Sequence, residues 1–151
     1  MIRRRHILAA AAFAPVALVL PRAARAAEPR VFQSRRGTIN GIDPVAYFDG
    51  NGPVAGSPDF THDWDGATWL FASAANRDAF AAEPLRFAPV FGGYCAFAAS
   101  RGYLAPTIPE AWSIYDGRLF LNASLRAREL WTAELPNVIA RGEANWPAIL
   151  G

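Results

Sequence analysis

The chain contains no lysine and a single cysteine, Cys95, among its 151 residues. Histidine is almost as scarce, with only His6 and His62. Each shortage closes a branch of chemistry. Without lysine there is no Schiff base on a side-chain amine. One thiol cannot close a disulfide within the chain, so Cys95 must be buried, bound to something, or paired with another molecule. Catalytic motifs are missing as well. No serine stands in a Gly-x-Ser-x-Gly context, no His-Glu-x-x-His occurs, and there is no Gly-rich phosphate loop.

The apolar residues that open the chain read as an export signal spanning Met1–Ala26. Arg3, Arg4 and Arg5 supply its charged start, Ile7 to Leu20 is an apolar run interrupted only by Pro15, and Ala24-Arg25-Ala26 offers a small-x-small cleavage site. The run is too short for a good transmembrane helix, so no stable membrane anchor is expected after cleavage. Arg4-Arg5-His6-Ile7-Leu8 further resembles a twin-arginine signal, which implies a periplasmic destination and export of an already folded chain, with the ordinary secretory route as the alternative. Cleavage removes five arginines and no acid. Ten arginines then face thirteen acids, a net charge of −3, and nucleic-acid binding is excluded on charge grounds.

The remaining residues suit one domain. Ala27–Gly37 reads as a tether or edge segment, and residues 38–151 as the folded domain. Asn40-Gly41 and Asp43-Pro44 are turn signals, and Val45–Phe48 reads as a short strand. Phe60, His62 and Trp64 alternate with Thr61, Asp63 and Asp65, Asp65-Gly66 marks a hairpin turn, and Ala67–Ala72 returns as the second strand. Ser73 caps a helix over Ala74–Ala82, and Pro84 starts a further turn near Phe87. A second hairpin is expected from Trp112–Tyr115, Asp116-Gly117 and Arg118–Asn122. Ser124 or Asn122 then caps a helix over Leu125–Leu135, and Pro136 opens a last helix that breaks near Gly142 or before Trp146-Pro147. The fold class is α+β, a small antiparallel sheet of β-hairpins with packed helices.

The candidate chemistry centres on Phe91-Gly92-Gly93-Tyr94-Cys95-Ala96-Phe97. Gly92 and Gly93 permit a sharp turn or a close approach. Tyr94–Ser100 predicts a short helix, with Gly102 at its C′ position and Cys95 in its first turn. A thiol placed there meets unpaired N–H groups that favour the thiolate. The alternative is that Cys95 is a small buried apolar residue. His62 is the only histidine beyond the signal, so any Cys–His pair must use it, against the plainer reading of an imidazole with no duty. Gly92, Gly93, Tyr94 and Trp64 are the candidate ligand-pocket residues, with core packing as the alternative for the aromatics. The scattered aspartates Asp43, Asp49, Asp63, Asp65 and Asp116 read as turn chemistry. Asn122-Ala123-Ser124 matches a glycosylation acceptor but doubles as a helix cap.

Several motifs in order carry a resemblance: Asn40-Gly41-x-Asp43-Pro44-Val45-Ala46-Tyr47-Phe48, then Gly66-Ala67-x-Trp69-x-Phe71-Ala72-Ser73-Ala74-Ala75-Asn76-Arg77-Asp78-x-Phe80, then Gly92-Gly93-Tyr94-Cys95-Ala96, and finally Ala144-Asn145-Trp146-Pro147. Together they resemble the exported YHS domain-containing (seleno)proteins. In the wider group, metal-sensing modules have cysteines at the positions of Ala46, Ala72 and Asn76, so that three-cysteine site is excluded here. The resemblance also implies selenocysteine in some relatives at the position of Cys95, which favours soft-metal or redox chemistry over passive packing. The leading expectation is a periplasmic binding module holding copper(I) through Cys95, with His62 or a partner molecule as second ligand. One alternative is a thiol redox protein in which Cys95 is the catalytic residue. The other is a non-catalytic domain that binds a small ligand or a protein, and pairing of two chains is left open.

Overall fold

The computed structural model describes residues 23–151, so most of the segment expected to be an export signal, residues 1–22, lies outside the described residues. The architecture is α+β, as expected. Among the described residues there are three antiparallel two-stranded ladders, β1 (Gln33–Ser34) with β2 (Gly37–Thr38), β3 (Ser57–Trp64) with β4 (Ala67–Phe71), and β5 (Trp112–Tyr115) with β6 (Arg118–Leu121). The helices are α1 (Ala74–Ala82), α2 (Pro84–Phe87), α3 (Ala96–Ser100), α4 (Leu125–Ala133) and α5 (Asn137–Asn145). The strands remain separate ladders rather than joining in one sheet.

Local chemistry sets most of these boundaries. Both longer hairpins turn on Asp-Gly pairs with φ positive at both residues, 49° and 76° for Asp65-Gly66 and 50° and 70° for Asp116-Gly117. That is the turn whose twist matches paired strands. The Ser73 and Ser124 hydroxyls accept the N–H groups of Asn76 and Ala127 at 3.1 and 3.0 Å, capping α1 and α4. Asn122 is therefore not the cap of α4. At the end of α3, Gly102 N–H reaches Ala99 O and Tyr103 N–H reaches Ala98 O, a Schellman closure with Gly102 at C′. Gly142 does not break α5, which runs on to Asn145.

One expectation from sequence is corrected and another is narrowed. Val45–Phe48 is not a strand, because the Asp43 carboxylate accepts the Val45 and Ala46 N–H groups and folds Ala46–Asp49 into a 3-10 turn. Of the two readings of segment 27–37, a tether or an edge segment, the structure agrees with the edge, since Gln33–Ser34 pairs with Gly37–Thr38. Val31 and Phe32 are buried, Glu28 N–H bonds Leu150 O, and Phe32 N–H bonds Gly92 O. Two apolar residues in an otherwise polar segment leave no periodicity, so this docking had no local signal.

β6 is the wall between two cores. Leu119 and Leu121 face a cluster with Tyr47, Trp69, Phe71 and Phe80, while Phe120 faces a second with Phe91, Trp131 and Val138. Strand alternation sends neighbours to opposite faces, which explains why three consecutive residues are all buried.

Candidate functional site

Cys95 follows a 3-10 turn over Val90–Gly93 in which Phe91, Gly92 and Gly93 all have positive φ. The cysteine is the N-cap of α3 rather than a residue of its first turn. Its Sγ accepts the Ala98 N–H at 3.5 Å, and its thiol donates to Asn122 Oδ1, also at 3.5 Å. The same Oδ1 accepts the Phe97 N–H at 3.0 Å, so the amide oxygen is fixed towards the sulfur. Only 2% of Cys95 is exposed. Asn122 is fully buried, which removes it as a glycosylation acceptor in the folded chain, and its Nδ2 has no partner among the described residues.

His62 lies elsewhere. It sits on β3 opposite Trp69, half-buried, with its ring 6.2 Å from that of Phe80 in the first core. No hydrogen bond joins it to Cys95, whose sulfur contacts Asn122 Oδ1 and the Ala98 N–H. The two expected metal ligands therefore have different neighbours, Phe80 and Trp69 for His62 and Asn122 and Ala98 for the sulfur. Among the described residues, no three His, Cys, Asp or Glu side chains are grouped as a metal site.

The positions Ala46, Ala72 and Asn76 do converge. They meet on the carboxylate of Asp43, which is fully buried. Its Oδ1 accepts the Val45 and Ala46 N–H groups, and its Oδ2 accepts the Ala72 N–H at 2.9 Å and the Asn76 amide at 2.7 Å. A carboxylate bonded to four donors ties three segments together and needs no metal. Asp43 looked like one more turn aspartate in the sequence, and nothing local distinguishes it.

The expected pocket residues divide between two depressions. Trp64 and Gly92 line a cleft of about 680 Å³ that also takes in Asp65, Arg86, Arg118 and Trp146. Tyr94 lines a second cavity of about 670 Å³ with Phe32 and Leu150. Gly93 packs against Ile39 and Pro89. Gly92 has a steric role in the first cleft. A Cβ there would overlap the carbonyl oxygen of Arg30, so a side chain would separate that segment from the turn. Tyr94 O–H donates to Pro29 O at 2.9 Å, and burial, with Glu28 nearby, raises its phenol above the ordinary value. Tyr47 O–H donates to Pro109 O, and burial, reinforced by the charge of Glu110, raises it further still.

Three arginines escaped sequence reading. Arg30, Arg86 and Arg118 come from the amino-terminal segment, α2 and the start of β6, and all line the first cleft. Arg30 pairs with Asp65 at 3.3 Å, Arg86 with Glu83 at 3.1 Å and Arg118 with Glu143 at 2.7 Å. Arg86 and Arg118 also lie over the rings of Phe87 and Phe120. No family model, curated protein or solved structure matches this chain.

Proposed function

We propose that this chain is a YHS-like binding module of the periplasm, and that it binds a small molecule in the cleft between Trp64, Gly92 and Trp146. The observation that carries this reading is the cleft itself. Residues far apart in sequence build one concavity of about 680 Å³, within the range of small-molecule sites. The convergence of Ala46, Ala72 and Asn76 on Asp43 supports the YHS resemblance, since those are the positions it relates to one another. The thiol supports binding less well, because Cys95 is buried and spends its sulfur on a helix cap and on Asn122. The test is a small-molecule screen by protein-observed NMR on wild type, Trp64→Ala and Cys95→Ser. Hits should shift amides around residues 64–65, 86–92 and 118, weaken in Trp64→Ala and persist in Cys95→Ser. Binding that depends on Cys95 and ignores Trp64 would overturn the reading.

The copper(I) and thiol-redox readings form a second proposal. It is favoured by the place of Cys95, whose sulfur caps α3 by accepting the Ala98 N–H. It requires Cys95 to leave its cap, with any second metal ligand coming from outside. Equal copper(I) affinity of wild type and Cys95→Ser, together with a thiol unreactive to peroxide and alkylating agents until unfolding, would remove it.

A further inference from the structure

We infer that the ligand of this cleft is a small organic anion, a carboxylate or sulfonate on a planar apolar body; the inference rests on the binding reading above. The cleft gathers three arginines, Arg30, Arg86 and Arg118, against one lining acid, Asp65. Beyond the signal the chain has more acids than arginines, so the cleft runs against the charge of the molecule around it. Each guanidinium is held by a carboxylate through one nitrogen only, Nε of Arg30, Nη1 of Arg86 and Nη2 of Arg118. A guanidinium has five N–H donors in a planar fork suited to two-point binding of a carboxylate, so much of each fork stays uncommitted. Glu83 and Glu143 pair from outside the lining, and the stacking of Arg86 and Arg118 on Phe87 and Phe120 limits how far those stems can swing.

The rest of the wall is apolar. Trp64 and Trp146 are lining residues, and Leu85 stands in the cleft 85% exposed. A volume of about 680 Å³ far exceeds an inorganic anion, and a wall that includes two tryptophans suits a flat organic body. The arginine heads are themselves 43–64% exposed by side chain, so their attraction should be screened by salt.

The experiment titrates the purified protein with naphthalene-2-carboxylate, its carboxamide and inorganic phosphate, followed by calorimetry and amide shifts. The carboxylate should bind at least about tenfold more tightly than the carboxamide, lose that advantage in 1 M salt (~3 Å screening length), and outbind phosphate. Arg118→Gln and Arg86→Gln should each weaken the carboxylate several-fold and leave the carboxamide unchanged, with folding of both checked by urea titration. Equal binding of carboxylate and carboxamide would overturn the anion assignment while leaving the cleft as a binding site. Phosphate binding as tight as the carboxylate would overturn the apolar body. Absence of cleft shifts with every probe at millimolar concentration would overturn both the assignment and the binding reading.

Discussion

Replacing Gly92 by alanine imposes two costs at one residue, and a second glycine separates them. Gly92 has φ +60° in the turn between α2 and α3. A left-handed backbone costs an alanine about 1–2 kcal/mol. The second cost is steric, because the new methyl overlaps the Arg30 carbonyl oxygen and approaches Trp146 to 3.3 Å. A backbone oxygen cannot swing aside as a side-chain tip can, so the Arg30–Phe32 segment has to lift. Lifting breaks the 2.8 Å bond from Phe32 N–H to Gly92 O, which contributes about 1 kcal/mol. It also partly exposes Val31 and Phe32, each stabilising by roughly 1.5–3 kcal/mol when fully buried. The sum is about 3–5 kcal/mol, a large share of a typical domain's 5–15 kcal/mol. Gly66 is the control: its φ is +76°, but a Cβ there meets nothing within 4 Å. Gly66→Ala should therefore cost about 1–2 kcal/mol. Urea unfolding of the two variants measures the difference directly. Equal midpoints would refute the close-approach argument, since both would then report backbone strain alone. In native buffer Gly92→Ala should also bind cleft ligands more weakly, because Arg30 moves with the lifted segment.

Asp43→Asn keeps the shape of the side chain but turns one of its oxygens into a donor facing two other donors, in either amide orientation. Losing two charge-assisted bonds costs about 3–6 kcal/mol, offset in part by no longer burying a charge; a net loss below about 0.5 kcal/mol by urea unfolding would contradict the network role. The chain should also unfold in alkali. Tyr47 and Tyr94 are held neutral in the fold above the ordinary phenol value, so the native state keeps protons that the unfolded state releases. Their stabilisation is complete below about pH 10 and falls by up to about 1.4 kcal/mol per pH unit per tyrosine above it. Tyr47→Phe should flatten that limb in thermal melts between pH 9 and 12, a window set by the ordinary phenol value; an unchanged slope would contradict it.

Features that depend on near neighbours in the chain were legible in the sequence. Ser73 and Ser124 start α1 and α4 because a hydroxyl satisfies an N–H three residues away, and Asp-Gly turns both hairpins because two adjacent residues must take positive φ. The mixed α+β class followed from those local signals. What tertiary structure decided lies beyond that range. Asp43 and Asp65 are both turn aspartates in sequence, yet one is buried under donors from three segments and the other pairs with Arg30 at the rim of a cleft. Cys95 could have been a presented thiolate or a buried sulfur, and packing beside Asn122, 27 residues away, left it a buried cap of α3. Arg30, Arg86 and Arg118 look like scattered surface charges until β6 and the Gly92 turn bring them to one cavity. Caps and turns are written in a few adjacent residues because their hydrogen bonds close over one turn of chain. A binding cleft is written in contacts whose partners only packing can choose.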